Sequence, residues 1–415
     1  MLRIKPFAAL RPPVELASKV ASVPYDVCNR EEAIELAKDN DISFLHVVRP
    51  DIDLPAETSP YDDSMYATAK KNFERLIADG ALARDDAECI YVYRQSMPLH
   101  GKVLTQTGVV CCCHVDDYNE DRIKKHEKTR QDKEDDRTKH VLTLDANAGP
   151  VFLLHKDDET IDALVQKIVA TDALYDFTAP DGVSHTVWRV TDTAPFVGAF
   201  GTLPCAYVAD GHHRSASAAR AGAEHRSKNP NHTGEEEYNW FLTVLFQARE
   251  LNILPYNRVV KDLDGYTPGE FLDLARKAGE LTTDGTKEPT TPYSFCVYLD
   301  GTWHTLALPA STVDANDPIK SLDYVLLYDR VLAPMLGIGD IRKDKRIDFV
   351  GGIRGTEGLE KRVDSGEMAV AFSLRPTTIE QLMAVSDAGE IMPPKSTWFE
   401  PKLRSGLLVH TLDTE

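Results

Sequence analysis

The six residues Asp210-Gly-His-His-Arg-Ser215 hold the densest set of reactive side chains in the chain. The Asp210 carboxylate can ligate a divalent cation or take a proton, and the Arg214 guanidinium can fork onto a phosphate. His212 and His213 have the ordinary pKa that allows acid–base work near neutrality. The structural alternative is a solvated turn with Ser215 as a helix cap. A second set lies in residues 116–140, which carry nine acids and eight Lys or Arg. If residues 120–140 are helical, His126, Arg130, Lys133 and Arg137 stand at i, i+4, i+7 and i+11 on one face. Such a stripe suits an anion; a solvated charged helix is the alternative. A third set is Lys395, Ser396 and Thr397, a phosphate-contacting trio followed by Trp398 and Phe399. Asp26 sits in the turn Pro24-Tyr-Asp-Val27, which by itself reads as structural.

These side chains need elements to hold them. Residues 205–209 are apolar and read as a strand, Asp210-Gly211 as a turn, and the alanine-rich 215–221 as a helix. A strand–turn–helix junction exposes the N–H groups of the first helical turn, which favour an anion. Gly211 lets the backbone approach a ligand closely. Strands are expected at 90–94, 103–115, 151–154, 187–190 and 240–246, and a helix at 161–169. Phe73, Leu76 and Ile77 share a face of a helix that Gly80 would end. Residues 51–62 read as a surface loop, and Thr377-x-x-Glu380 as a capping box. Strands and helices mix throughout, so the class is α+β. The expected divisions are an N-terminal α+β region (1–115), a charged helical segment (116–145), a core carrying the Asp210–Ser215 loop (146–260) and a C-terminal α+β domain (261–415).

Composition narrows the function classes. The 415 residues carry 47 Lys or Arg and 66 Asp or Glu, a net charge of −19. So acidic a surface repels a phosphate backbone and argues against non-specific DNA or RNA coating. No run approaches 18 apolar residues and no leader pattern opens the sequence, so the expectation is a soluble, cytoplasmic protein. The seven cysteines include no C-x-x-C pair, and three in a row on a strand cannot converge on one metal. They read as small buried hydrophobes, and no zinc is expected. There is no G-x-x-x-x-G-K-[ST] loop, Gly337-Ile-Gly339 lacks its third glycine, and no G-x-S-x-G elbow occurs.

The sequence resembles the prokaryotic family known as domain of unknown function 1015 over essentially its whole length. The resemblance rests on Ile4-Lys-Pro-Phe7, Pro24-Tyr-Asp-Val27, Ile123-Lys-Lys-His-Glu-Lys-Thr-Arg130, Ser184-His-Thr-Val-Trp-Arg189, Ala209-Asp-Gly-His-His-Arg214 and Met392-Pro-Pro-Lys-Ser-Thr397. The Asp210–Arg214 loop is similar to the ligand loop of the ParB/sulfiredoxin superfamily, whose members include CTP-hydrolysing, ATP-using and free-serine-phosphorylating proteins. The resemblance implies a ParB/sulfiredoxin-like core and a link to serine metabolism. Two departures stand out. Relatives tend to carry a histidine where this chain has Asn257, which cannot transfer a proton in its place. The loop also has no cysteine, which sulfiredoxin chemistry needs.

The leading expectation is phosphoryl transfer on a small metabolite, with serine or phosphoserine first. Gly211, Arg214 and Ser215 would bind phosphate, and Asp210 with Asp26 would hold Mg²⁺. His212 or His213 would move the proton, while the face from His126 to Arg137 would neutralise charge. ATP or ADP is the expected nucleotide. The rivals are a ParB-like nucleotide-binding switch in chromosome partition and a metabolite-binding regulator without turnover. The acidic charge and the lack of a basic tail weigh against the first.

Overall fold

The longest strands form where Val, Ile, Tyr and Cys cluster. The computed structural model describes residues 1–413, in two compact units: residues 1–251 with the segment from Pro401 onward, and residues 252–400. The large sheet of the first unit is built from β1 (Ile4–Lys5), β2 (Ile90–Leu99), β3 (Lys102–His114), β4 (Ile123–Lys124), β5 (Val151–His155), β6 (Tyr175–Thr178), β7 (Ser184–Val190), β8 (Ala206–Asp210) and β9 (Trp240–Gln247). They make one nine-stranded sheet in the order β4-β8-β5-β9-β3-β2-β7-β6, with β1 also on β3. The hairpin β2–β3 turns at His100-Gly101, both at positive φ, as a tight two-residue turn requires. Cys111, Cys112 and Cys113 are fully buried free thiols near the C-terminal end of β3.

Five helices matter here: α1 (Arg30–Ala37), α2 (Asp63–Ala78), α3 (Gln131–Leu144), α4 (Glu159–Val169) and α5 (His212–Lys228). α5 buries Ala216, Ala218, Ala219 and Ala221, small residues that let it lie close to its neighbours. The charged segment folds differently from expectation. Its helix starts only at Gln131, after a turn at 125–130, so His126 leaves the stripe and is buried at 1% exposure. Desolvating an imidazole costs less than desolvating Arg or Lys, so the histidine is the member that can go inside. Ile77, expected on the buried face of α2, is 41% exposed; Phe73 and Leu76 are buried.

Strands from residues 1–115 and 146–260 share the one sheet, so those divisions merge into a single unit. The chain's last segment also belongs to it. Leu10 and Val409 exchange backbone hydrogen bonds, as do Ser22 and Ser405. Gln95 and Gln106 donate to the carbonyls of Lys402 and Pro401, and buried Arg404 meets His185 and Asp181. A C-terminal domain of 261–415 is thereby corrected to 252–400.

That second unit holds a six-stranded sheet of β10 (Tyr256–Val260), β11 (Glu280–Thr282), β12 (Ser294–Leu299), β13 (Thr302–Ala307), β14 (Ile347–Gly351) and β15 (Val370–Ser373), in the order β11-β13-β12-β15-β10-β14. Its helices include α6 (Pro268–Ala278), α7 (Glu357–Asp364) and α8 (Ile379–Asp387). The capping box of α8 uses Thr378 and Gln381, one residue beyond the expected pair, because Thr377 donates instead to the Ser396 carbonyl. Among the described residues no helix is long and apolar enough to cross a membrane.

Candidate functional site

Strand β8 runs into Gly211, whose φ of 96° allows the chain to turn directly into α5. A Cβ there would stand 3.1 Å from the Arg214 guanidinium, because Arg214 folds back over the turn. Its Nη1 donates to the Pro150 carbonyl, and its Nη2 lies 3.8 Å from Asp210 Oδ1. On the other side, Lys402 Nζ donates to Asp210 Oδ2 at 3.1 Å. Burial works to raise the Asp210 pKa, but the Lys402 and Arg214 charges outweigh it and hold the carboxyl well below its usual range. A carboxylate already compensated by two cations is a poor magnesium ligand, so the Asp210–Asp26 metal site does not fit. Among the described residues no cluster of three or more His, Cys, Asp or Glu is arranged around a metal. Arg214 uses Nη1 on the Pro150 carbonyl, while its buried Nε has no hydrogen-bond partner among the described residues.

The two histidines diverge. His212 turns inward at 5% exposure, edge to face with His126 at 4.5 Å between ring centroids. Among the described residues neither ring nitrogen of His126 has a hydrogen-bond partner, nor does Nε2 of His212. Burial pushes His126 down to about 4 and His212 well below its usual range, the second ring adding to the effect on His212. Both are neutral at pH 7. Ser215 is also buried, its hydroxyl donating to the Gly211 carbonyl at 3.1 Å.

His213 faces the other way, into a cleft of about 650 Å³ lined by residues 25–66, by α3 and by the residue before it. Its Nε2 accepts the backbone N–H of Arg130 at 3.1 Å. Burial lowers its pKa, against the charges of Asp26 and Glu134. Five cationic side chains line the cleft, Arg30, Arg49, Arg130, Lys133 and Arg137, against three carboxylates, Asp26, Asp51 and Asp136. The excess of two positive charges contrasts with a chain at −19.

Each cation is held differently. Arg137 lies over the Tyr25 ring at 4.4 Å and binds Asp136, which also accepts the Tyr66 hydroxyl at 2.9 Å. Arg49 grips Asp51 through two bonds at 2.9 and 2.7 Å, and Arg30 donates to the Asp51 and Leu54 carbonyls. Arg130 pairs with Asp132 at the exposed rim. Among the described residues no carboxylate is in ion-pair range of Lys133, whose ammonium lies 5.7 Å from the Tyr61 ring centroid. Asp26 is exposed on the cleft wall. His140, neutral and pushed down to about 3 by burial, closes the floor with its ring bonded to the Val47 carbonyl.

The structure therefore brings Asp26, Arg130, Lys133, Arg137 and His213 together, and turns His126, His212 and Ser215 inward. Lys395, Ser396 and Thr397 belong to the second unit. Ser396 is 7% exposed and spends its hydroxyl on the Pro393 carbonyl, so it does not face a phosphate. Sequence reading missed Arg30, Arg49 and the role of 51–62, which walls the cleft with Pro55, Pro60 and Tyr61. The signal was the proline content, which stiffens a loop that binding then uses.

The model of the family described as "Protein of unknown function (DUF1015)" matches residues 4–325. The chain belongs to that family. No curated protein matches this DUF1015 member. Solved structures similar to it include a free serine kinase in complex with AMP, at 13% identity and TM-score 0.33, covering 72% of this chain and 91% of that one. SbnI with C-terminal truncation from Staphylococcus aureus aligns at 13% identity and TM-score 0.40, covering 74% and 90%. A conserved hypothetical protein from Pyrococcus furiosus aligns at 15% and 0.34, covering 74% and 97%.

Proposed function

We propose that the cleft is a phosphoryl-transfer site for a small metabolite, at a ParB/sulfiredoxin-like loop spanning Asp210–Ser215. The observation that carries the reading is the convergence of Arg30, Arg49, Arg130, Lys133 and Arg137 on one cleft that also takes in His213 from the first turn of α5. Phosphoryl transfer needs little covalent help from a protein; it needs positioned cations and donors. Lys133 and Arg130 are the cations that meet phosphate, because the Arg130–Asp132 pair is solvent-exposed and weak, whereas Arg49 and Arg137 are held by carboxylates inside the cleft wall. His213, protonated on Nδ1, donates to a phosphoryl oxygen.

Asp26 takes the proton from the attacking hydroxyl as its oxygen bonds to phosphorus, and the leaving group departs with the electrons of the broken P–O bond. Asp210, Arg214 and Lys402 act as positioning residues. Tyr61, 43% exposed, offers a ring face to the base of a nucleotide such as ATP or ADP. Serine or phosphoserine is the first substrate to try, on the family resemblance alone.

The test is phosphorus NMR of the protein incubated with phosphoserine, or with serine and ATP or ADP, with and without Mg²⁺. Turnover that Lys133→Ala and Asp26→Asn each reduce at least ten-fold supports the reading. No turnover in any mixture, or full activity in both variants, overturns it.

A further inference from the structure

A smaller chamber adjoins the cleft within the first unit, and the two share Tyr25, Val48, Arg137 and His140 in their walls. The chamber leaves about 40 Å³ for the centres of water-sized spheres, where one water needs roughly 10–15 Å³. By that measure it has room for about three heavy atoms. Its walls are mostly apolar, with Val151, Ala218 and Phe241 among them, and no carboxylate among the described residues lines it.

Two guanidinium groups reach this chamber from different elements. Arg137 of α3 spends Nε and Nη2 on Asp136 and lays its face on the Tyr25 ring, which leaves Nη1. Arg214 comes from the first turn of α5, its Cδ 3.9 Å from where a Cβ on Gly149 would stand. The Nε bonded to that carbon is the buried donor without a partner among the described residues. Asp210 answers Arg214 only in part, since it lies 3.8 Å away and takes its hydrogen bond from Lys402. Both guanidinium charges act on the Tyr25 hydroxyl, whose pKa is pushed up to about 12 by burial and by Asp26 against their pull.

Two such charges beside apolar walls with no carboxylate favour an anion, and the room available selects which. A carboxylate, three heavy atoms in one plane with a single charge, is of that size. A phosphate group is bulkier and more highly charged, and belongs in the larger cleft. We infer that the substrate of the cleft is a carboxylic acid, whose carboxylate enters the chamber between Arg137 and Arg214 while its hydroxyl or phosphoryl end stays outside with Lys133 and Arg130. The outer half rests on the phosphoryl-transfer reading; the preference of the chamber for a carboxylate does not.

The test uses the full chain with acetate, phosphoserine and phosphoethanolamine, the last lacking only the carboxylate. Calorimetry should find phosphoserine at least ten-fold tighter than phosphoethanolamine. Ala148→Leu, which fills the chamber, should bring phosphoserine to the level of phosphoethanolamine and leave the latter unchanged. Gly149→Ala, whose Cβ would stand 3.2 Å from Ser405 Oγ, is the milder filling to use if Ala148→Leu lowers the melting temperature. Acetate, followed by the broadening of its NMR line, should bind wild type and the Arg130→Ala, Lys133→Ala double variant alike, and lose binding in the filled variants. Equal affinity for the two phosphorylated compounds, or acetate binding that is absent or survives the filling, overturns the inference. Failure of the cleft reading alone looks different: Lys133→Ala would leave the affinity for both phosphorylated compounds unchanged while acetate still bound in the chamber.

Discussion

His213 accepts the backbone N–H of Arg130 through Nε2, tying the first turn of α5 to the residue that precedes α3. An imidazole that accepts at Nε2 carries its proton on Nδ1 while neutral. Protonating Nε2 would set two N–H groups against each other. Burial and this bond both favour the neutral ring, so we predict a midpoint for His213 below the ordinary value of about 6.5. The Asp26 charge favours the protonated form, so Asp26→Asn should lower the midpoint further. Proton NMR titration of the ring would check both; a wild-type midpoint above 6.5, or an upward move in Asp26→Asn, contradicts the geometry.

Lys133 and Arg137 share a cleft wall but not a structural role. Lys133 has no ion-pair partner among the described residues, so Lys133→Ala should change stability by no more than about 0.5 kcal/mol while weakening phosphate binding. Arg137→Ala removes the cap on the Tyr25 ring and strands the buried Asp136, and should cost about 3 kcal/mol. Urea denaturation with and without inorganic phosphate separates the two effects. Equal stability losses in both variants would count against this division.

Acid should destabilise the first unit through His126. Its folded pKa of about 4 lies below the unfolded value of about 6.5, so the unfolded state binds more protons between them. The stability is fully present above pH 6.5 and is lost as pH falls toward 4, by about 3 kcal/mol for this one ring. His126→Leu keeps an apolar ring-sized group and removes the titration. The gap in denaturation midpoint between pH 7 and pH 5 should shrink in that variant; an unchanged gap would assign the acid sensitivity elsewhere.

Gly211→Ala should be destabilising by roughly 1–2 kcal/mol, from the left-handed backbone alone. It should also displace Arg214, whose guanidinium stands 3.1 Å from the added Cβ. Thermal melts of Gly211→Ala in the wild-type and Arg214→Ala backgrounds test this. If Arg214 is the obstacle, the two changes together should cost less than the sum of their separate effects.

Local pattern made much of the fold legible before any coordinates. The strand–turn–helix at 206–228 and the hairpin at 90–114 follow from apolar runs and small-residue turns, which are local properties. Partner choice is not local. Nothing in the spacing of His126, Arg130, Lys133 and Arg137 shows that the histidine goes inside to meet His212 while the other three stay on the cleft side. Asp210 looked like a metal ligand because Lys402, 192 positions away, could not be seen as its partner. Arg49 was invisible for the opposite reason: one arginine after an apolar stretch carries no pattern until the loop 51–62 folds beside it.

The side chains that complete the first unit are made after the whole of the second. Lys402 and Arg404 leave the ribosome only after all of residues 252–400, so a nascent chain holds Asp210 without its ammonium partner and His185 without its guanidinium while the intervening unit, contiguous in sequence, is free to fold. The Asp210–Ser215 loop thus gains its ammonium partner only after the second unit has been synthesised, and a message truncated after codon 400 would yield an incomplete first unit and a complete second one.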